Sequence, residues 1–431
     1  MWTSRATWRS PSPSSDVLAY SDSTDGRLRV ALVAPFGLRP KGTTIARVLP
    51  IARQLAKQGA VVRVIVPPWD DRARSGQRWT DDGLEIVHTR TGAPWLTPAV
   101  IFNDLWRSLR DWRPHVVHAF KPIGYSGLVA LFLASRHNRP THASAANAER
   151  PLVVVDADDL EGPAGWAGRR AQMLGGVVRG MQERHVLRVA DRVTVASRWL
   201  ETYVTGLGAR QGAVRYVPNG YGVDGIQTSA DADGAGAQRD SPRLLWYTRF
   251  TEASPERIAH LVAPLLCAAP GLRLRVVGEE IGVGGAAAAK SALDRAGVGD
   301  RVDWIGYQGL GVDADLPALS GTVAIYPLDD DLVNRARCPS KIPQLMALGI
   351  PLVAECVGEA ASYLAGFDDT CLVVPGDGER FRTLVSRLLS DTEGRASLSK
   401  DLIAAAVKWR WEETSRGLLD WYSEGLEQSG V

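Results

Sequence analysis

Short, unbroken apolar runs alternate with segments of helical periodicity along nearly the whole chain. That alternation restricts the fold more than any other feature. "LRVALVA" (Leu28–Ala34) has the length of a buried strand. In the next segment, "GTTIARVLPIARQLAKQG", Ile45, Val48, Leu49, Ala52 and Leu55 recur at helical spacing, and Gly59 marks the end. "VVRVIV" (Val61–Val66) follows and is stopped by Pro67 and Pro68. Strand, helix and strand with short connections form a βαβ unit. "HVVHAF", "PLVVVD" and "RVTVAS" repeat the strand pattern at Val116, Val153 and Val193. Runs that are apolar on both faces predict a parallel sheet covered by helices on each side.

The pattern breaks at 221–242, a stretch rich in Gly, Ala, Asp and Ser with no sustained periodicity, which reads as a linker with a loop insertion. A second series then begins: "LLWYT", "LRLRVV", "VDWIG", "TVAIYP", "PLVAEC" and "CLVVP". At 431 residues the chain is longer than one core usually organises. The expectation is an α/β protein of two doubly wound, Rossmann-like parallel-sheet domains, 27–220 and 243–405, facing across a cleft. Residues 1–26, with many Ser, Pro and Asp, read as a flexible tail without the apolar core of a secretory signal. In such folds ligands bind outside the carboxyl ends of the strands.

Composition removes several classes of function. Fifty basic and 48 acidic residues leave a net charge of +2, so no global basic field favours nucleic acid. No apolar run approaches the roughly 18 residues needed to span a bilayer. "YSGLVALFLAS" (Tyr125–Ser135) suits a buried helix. The four cysteines, Cys267, Cys338, Cys356 and Cys371, form no CxxC pair and read as reduced thiols in a cytosol. "IFNDLWRSLRDWRPH" and "GRRAQMLGGVVRGMQERHVLR" place Arg beside aromatic or aliphatic stripes. They read as amphipathic helices covering their own sheet, with peripheral membrane contact as the alternative.

Several motifs fail on spacing. "GVGGAA" (Gly282–Ala287) lies too far past its strand for a dinucleotide fingerprint. "PKGTT" inverts a P-loop, "GYSGL" misses a nucleophile elbow, and seven histidines contain no HExxH pair. "DADD" (Asp156–Asp159) follows a strand directly. Asp156 and Asp158 suit either a divalent metal or a polar loop.

"NRARCPSKIPQLMALGIPLVAECVGE" (Asn334–Glu359) carries the most chemistry. Pro339 fits a first helical position, Ile342, Leu345 and Met346 form a buried face, and Gly349 ends the helix. The helix N-terminus is then aimed at the cleft as an anion site, with Lys341, one of seven lysines, in its first turn. Arg249 follows the first strand of the second domain and faces the same cleft. Two cations and a helix N-terminus make a cradle for a diphosphate.

"APFGLRPKGTT", "PHVVHAFKPIGYSGL", "ADRVTVASRWL", "VRYVPNGYGVD", "RVDWIGY" and "PSKIPQLMALGIPLVA" resemble, in order and spacing, the family-4 glycosyltransferases. These are retaining enzymes of the GT-B fold, and the likeness covers nearly the whole chain from Arg27. "KWRWEETSRGLLDWYSEGL" resembles their last helix, so 406–428 is expected to cross back to the first domain. The resemblance implies that Arg249 and Lys341 act on the donor diphosphate, with Ser340 beside them. Gly42 would let the first-domain loop approach the phosphates, and Gly306 and Tyr307 would lie near the base. His118 would face the acceptor or the sugar, with Lys121, Asp158 and Asp159 on the acceptor side.

Departures from the family pattern are specific. Members carry Glu and, after seven residues, a second Glu; here these positions are Ala336 and Gln344. Gln accepts a ribose hydroxyl through its carbonyl, whereas Ala336 has nothing to offer, leaving Asn334 or Asp331 to substitute. Ser254 stands where a Lys is usual, with Arg257 as the replacement. The implied reaction transfers a sugar from a nucleotide-sugar donor to a glycan or lipid-linked acceptor in surface polysaccharide or glycolipid synthesis. Cations and helix amides stabilise the leaving diphosphate, so neither metal nor cofactor is expected. The rivals are a catalytically silent GT-B binding domain, which the missing Glu pair suggests, and a sugar-nucleotide epimerase.

Overall fold

The computed structural model describes residues 26–38, 42–135, 150–169, 173–210, 212–222, 243–281, 284–306 and 321–429. The tail, most of the linker and Tyr307 lie outside them. The first sheet contains β1 (Arg29–Val33), β2 (Val61–Val66), β3 (Arg78–Asp81), β4 (Leu84–His88), β5 (Val116–Phe120), β6 (Leu152–Ala157), β7 (Arg192–Val195) and β8 (Val214–Tyr216). Their order is β3-β4-β2-β1-β5-β6-β7-β8. The second sheet, in the order β11-β10-β9-β12-β13-β14, contains β9 (Arg243–Thr248), β10 (Arg273–Gly278), β11 (Val302–Gly306), β12 (Thr322–Tyr326), β13 (Leu352–Glu355) and β14 (Leu372–Val373). All pairings are parallel except β3 with β4. These are the two doubly wound, Rossmann-like domains of the GT-B fold.

The inner strands are buried end to end, as their apolar runs require. One apolar cluster covers each face of the first sheet, and a third fills the second domain. The β3–β4 hairpin was not anticipated. Its strand "RWTD" is short, polar and at the sheet edge, and Asp82 and Gly83 both take positive φ in a two-residue turn. Helix Gly124–Ser135 is less enclosed than its composition implies, because Leu128 and Phe132 are exposed. Among the described residues no helix is long and apolar enough to cross a membrane.

Two segments cross between the domains side by side. Tyr221 bridges to Arg410, and Gly220 is packed so tightly that an added Cβ would lie 2.7 Å from the Trp409 carbonyl oxygen. After this crossing the chain returns to the first sheet. Trp411, Leu418, Trp421 and Tyr422 are buried in the same cluster as β1 and β2.

Candidate active site

The second-domain site is built at the end of β9. The chain turns sharply there, with Phe250 at φ 59°. The turn closes on a carboxylate that the sequence reading missed, Glu252, which is 2% exposed. Glu252 accepts from the Thr248 hydroxyl (2.9 Å) and from the backbone N–H groups of Arg249 (3.1 Å) and Thr251 (3.0 Å). Lys341 Nζ donates to it at 3.0 Å, and the Arg337 guanidinium lies 3.6 Å away. Burial alone would raise the Glu252 carboxyl, but Lys341 and Arg337 hold it well below the usual carboxylate range. Burial also pulls Lys341 below its ordinary value, against the attraction of Glu252.

Arg249 stands at the rim of this cluster, 22% exposed, with Nη1 3.8 Å from Glu279. A Cβ placed on Gly42, in the first-domain loop, would lie 3.9 Å from Arg249 Nη2. The Arg337 guanidinium is 5.3 Å from the ring centroid of Trp166, also in the first domain. Two cations, Lys341 and Arg337, thus flank one buried carboxylate, with Arg249 at the rim beside Glu279, where the two domains meet. The only advance signal for Glu252 was its position three residues after Arg249, and acidic residues near strand ends are common.

The helix behind Lys341 spans Lys341–Ala347, with Ser340 at its N-terminal boundary. Pro339 therefore lies outside it, in the turn that follows the short helix Leu332–Ala336. Gln344 is half-buried, and its Oε1 has no hydrogen-bond partner among the described residues. Asn334 does not substitute for the missing Glu. It is buried, and its amide donates to the carbonyls of Glu252 and Asp329, both at 2.8 Å. Asp331 accepts from the Asn334 N–H and caps that short helix. Arg257 is pinned by the Leu328 carbonyl, Asp329 and Glu355, so it does not take the place of the usual Lys. Gly306 ends β11, exposed and at φ 78°.

The first domain corrects the expectation for His118. It is fully buried, with Nε2 3.0 Å from Thr194 Oγ1 and Nδ1 2.7 Å from the Tyr422 hydroxyl. Thr194 spends its single proton on Asp156 Oδ1 (2.6 Å), so His118 must donate from Nε2 and accept at Nδ1. Burial pushes the imidazole down to about 4. A neutral, doubly bonded, enclosed histidine cannot face an acceptor or a sugar. Asp156 is gripped by Arg47 at 2.7 and 2.6 Å, which removes it from any metal-binding pair with Asp158.

Lys121, Asp158 and Asp159 are brought together. The Lys121 ammonium lies 2.8 Å from Asp158, 3.0 Å from Asp159 and 2.5 Å from Glu161, a residue the sequence reading did not single out. These carboxylates have the spacing of a cation site, and the lysine supplies the cation. Burial opposes the charge on Lys121, yet its three acids raise it well above its ordinary value. Burial and the neighbouring Asp159 push Asp158 up, against the pull of Lys121.

Residues 42–220 match the family model of the glycosyl transferase 4-like domain, and residues 241–391 match that of the glycosyl transferases group 1. No curated protein matches the chain. A sucrose-phosphate synthase from Thermosynechococcus elongatus superposes with a TM-score of 0.71 at 18% identity, covering 94% of this chain and all of its own. Anabaena HepE in complex with UDP-glucose gives 0.64 at 15%, covering 92% of this chain and 99% of its own. WaaG, a glycosyltransferase involved in lipopolysaccharide biosynthesis, gives 0.62 at 13%, covering 91% of this chain and 98% of its own. Two adjoining family models, one on each sheet, together with the fold itself, make this chain a glycosyltransferase of the GT-B fold.

Proposed function

We propose that the protein transfers a sugar with retention from a nucleotide-sugar donor to a glycan or lipid-linked acceptor, in surface polysaccharide or glycolipid synthesis. The observation that carries this reading is the group of Arg337 and Lys341 on Glu252 with Arg249 at its rim. Glu252 balances one charge of Lys341 and Arg337, and Arg249 has only the more distant, exposed Glu279, so positive charge is left over for a diphosphate leaving group. Each charge-assisted contact to it would contribute about 1.5–3 kcal/mol. Gln344, whose carbonyl oxygen is buried and unpaired among the described residues, is the candidate ribose contact. Gly42 leaves room for the phosphates beside Arg249. Gly306 and Tyr307 are assigned to the base and Ser340 to the phosphate side, on the resemblance alone.

On the acceptor side the candidates are Lys121, Asp158, Asp159 and Glu161. Because His118 is enclosed, no histidine general base is assigned, and the leaving diphosphate takes the acceptor proton. Asp156 and the Asp158 group already have Arg47 and Lys121 as counter-charges, which supports a metal-independent transfer. HepE was solved with UDP-glucose, which makes UDP-sugars the first donors to try. Site action at the inner face of a membrane follows if the acceptor is lipid-linked.

The test is a thermal-shift panel of UDP-, GDP-, ADP- and TDP-sugars, followed by a transfer assay. A donor at about 100 times its Kd stabilises the fold by roughly 2.7 kcal/mol. No stabilisation by any donor, and no transfer, would favour a silent binding domain. An epimerase reading loses its histidine with the enclosure of His118.

A further inference from the structure

A chain of polar side chains, buried except for the half-buried Asn219, runs through the first domain and ends on the second. It begins on the C-terminal helix, where the Tyr422 hydroxyl donates to His118 Nδ1. His118 donates to Thr194, Thr194 to Asp156, and Asp156 holds the Arg47 guanidinium through both oxygens. Arg47 Nη1 then donates to Asn219 Oδ1 at 3.0 Å. The other side of that amide crosses the domain boundary: Asn219 Nδ2 donates to the Cys338 carbonyl at 2.6 Å, and the Asn219 N–H points at Cys338 Sγ, 3.2 Å away. The Tyr363 hydroxyl donates to the Asn219 carbonyl at 2.6 Å and lies 3.0 Å from Cys338 Sγ.

The direction of this chain is fixed by proton counting. A guanidinium only donates, so it faces the amide oxygen of Asn219 and turns the amide nitrogen toward Cys338. Flipping the amide would set donor against donor and acceptor against acceptor. Arg47 cannot swing away, because Asp156 occupies its fork. Cys338 directly follows Arg337 and precedes Lys341 by three residues, while the helix that carries Arg47 starts just after Gly42.

We propose that Arg47 and Asn219 are positioning residues that seat the Cys338 loop of the second domain against the first, and so set where Arg337 and Lys341 stand toward the donor. The last step rests on the donor-site reading above. Tyr422, His118 and Thr194 steady Asp156 from behind, which gives the C-terminal helix a hold on the site.

Cys338 is itself the reporter. It is buried, and burial pushes its thiol up to about 12, so it reacts only when the loop lifts. With exposed Cys267 and Cys356 replaced by Ser, N-ethylmaleimide labelling followed by mass spectrometry reads Cys338, and Cys371, buried in the second-domain core, reads general opening. Asn219→Asp keeps an acceptor for Arg47 but turns an oxygen toward the Cys338 carbonyl. Arg47→Lys keeps the charge but loses the fork. Both should raise Cys338 labelling about tenfold or more while Cys371 stays at the wild-type rate, a local opening rather than a global one. Tyr422→Phe should raise it by about two- to fivefold, through one lost hydrogen bond at the far end. Wild-type labelling of Cys338 in Asn219→Asp overturns the proposal, as does a joint rise of both cysteines in both variants. Inorganic pyrophosphate, as a probe of the cradle, should bind Asn219→Asp about tenfold more weakly. Faster labelling with unchanged pyrophosphate affinity would uphold the seating but overturn its hold on Arg337 and Lys341, whereas no pyrophosphate binding by the wild type would overturn the donor-site reading itself.

Discussion

Lys341 shows why a site residue has to be weighed with its partner. Alone on a helix end it looks replaceable, but its side chain is 12% exposed and its ammonium is paired with the carboxylate of Glu252, a side chain 2% exposed. Removing one member of a buried pair leaves the other as an uncompensated charge, at a cost of about 3–5 kcal/mol. Lys341→Met should therefore destabilise the fold by about that amount, less what Arg337 still compensates. Glu252→Gln in the same chain should restore part of the loss. Arg249→Ala, on the rim, should change stability by less than about 1 kcal/mol while weakening donor binding. Urea denaturation of the four proteins separates these outcomes, and equal stability of Lys341→Met and Arg249→Ala would remove Glu252 from its central place. A second residue-scale prediction concerns acid. His118 is held neutral down to about 4, while the unfolded chain charges it near its ordinary value of 6.5. Between those values the unfolded state binds more protons, so stability is full above about 6.5 and falls as pH falls toward 4. The loss from this one group is on the order of 3 kcal/mol. His118→Gln should cost stability at pH 7 but show a shallower fall across that window. The buried His88 is shifted in the same way in both proteins and drops out of the difference. Parallel stability–pH curves would contradict the assignment.

At the scale of elements, what the sequence revealed follows from how each element is stabilised. Central strands such as β5 and β12 are buried on both faces, so hydrophobicity alone marks them. The β3–β4 hairpin depends on its Asp82–Gly83 turn and one covered face, a weaker signal that the apolar runs drowned out. Arg249 and Lys341 were legible because cations near strand and helix ends have a stated electrostatic use. Glu252, Arg337 and Arg47 were not, because their roles come from partners 85 or more residues away in the chain. His118 sits in the middle of β5, near the strand end that faces the cleft. Only the return of Tyr422, 304 residues later, shows that it is enclosed. The crossing of the two connecting segments gives an element-scale prediction. A Cβ at Gly220 would meet the Trp409 carbonyl oxygen at 2.7 Å and the Trp411 nitrogen at 2.9 Å, both backbone atoms that cannot rotate away. Gly220→Ala should lower stability by about 1–3 kcal/mol. It should also loosen the Tyr221–Arg410 bridge, read as faster amide exchange at Tyr221 and Trp411, whose N–H groups cross that junction. Unchanged exchange there would mean that the crossing absorbs the methyl group by shifting as a unit.

Two local charge clusters stand out in a molecule whose total charge is only +2. The second domain brings Arg249, Arg337 and Lys341 to the junction, while the first brings Asp158, Asp159 and Glu161 around Lys121. A diphosphate belongs with the former. The latter has the oxygen spacing of a divalent-cation site but is filled by its own ammonium. This arrangement predicts opposite responses to metal in two proteins. In the wild type, transfer should persist in excess chelator, because the diphosphate's counter-charges are side chains, and manganese should leave thermal stability unchanged. In Lys121→Ser the three acids lose their cation and crowd together. Burial already pushes Asp158 up, and without Lys121 the main attraction opposing that push is gone. The variant should be destabilised by about 3–5 kcal/mol, the cost of breaking a buried ion pair. Millimolar manganese should recover a measurable part of that loss, since oxygen ligands at this spacing suit a hard cation. Calorimetric melting of both proteins, with and without manganese and with chelator, reads all of these. Loss of wild-type transfer on chelation, restored by manganese, would place a metal in the reaction and move the acidic group from structural balance to catalysis.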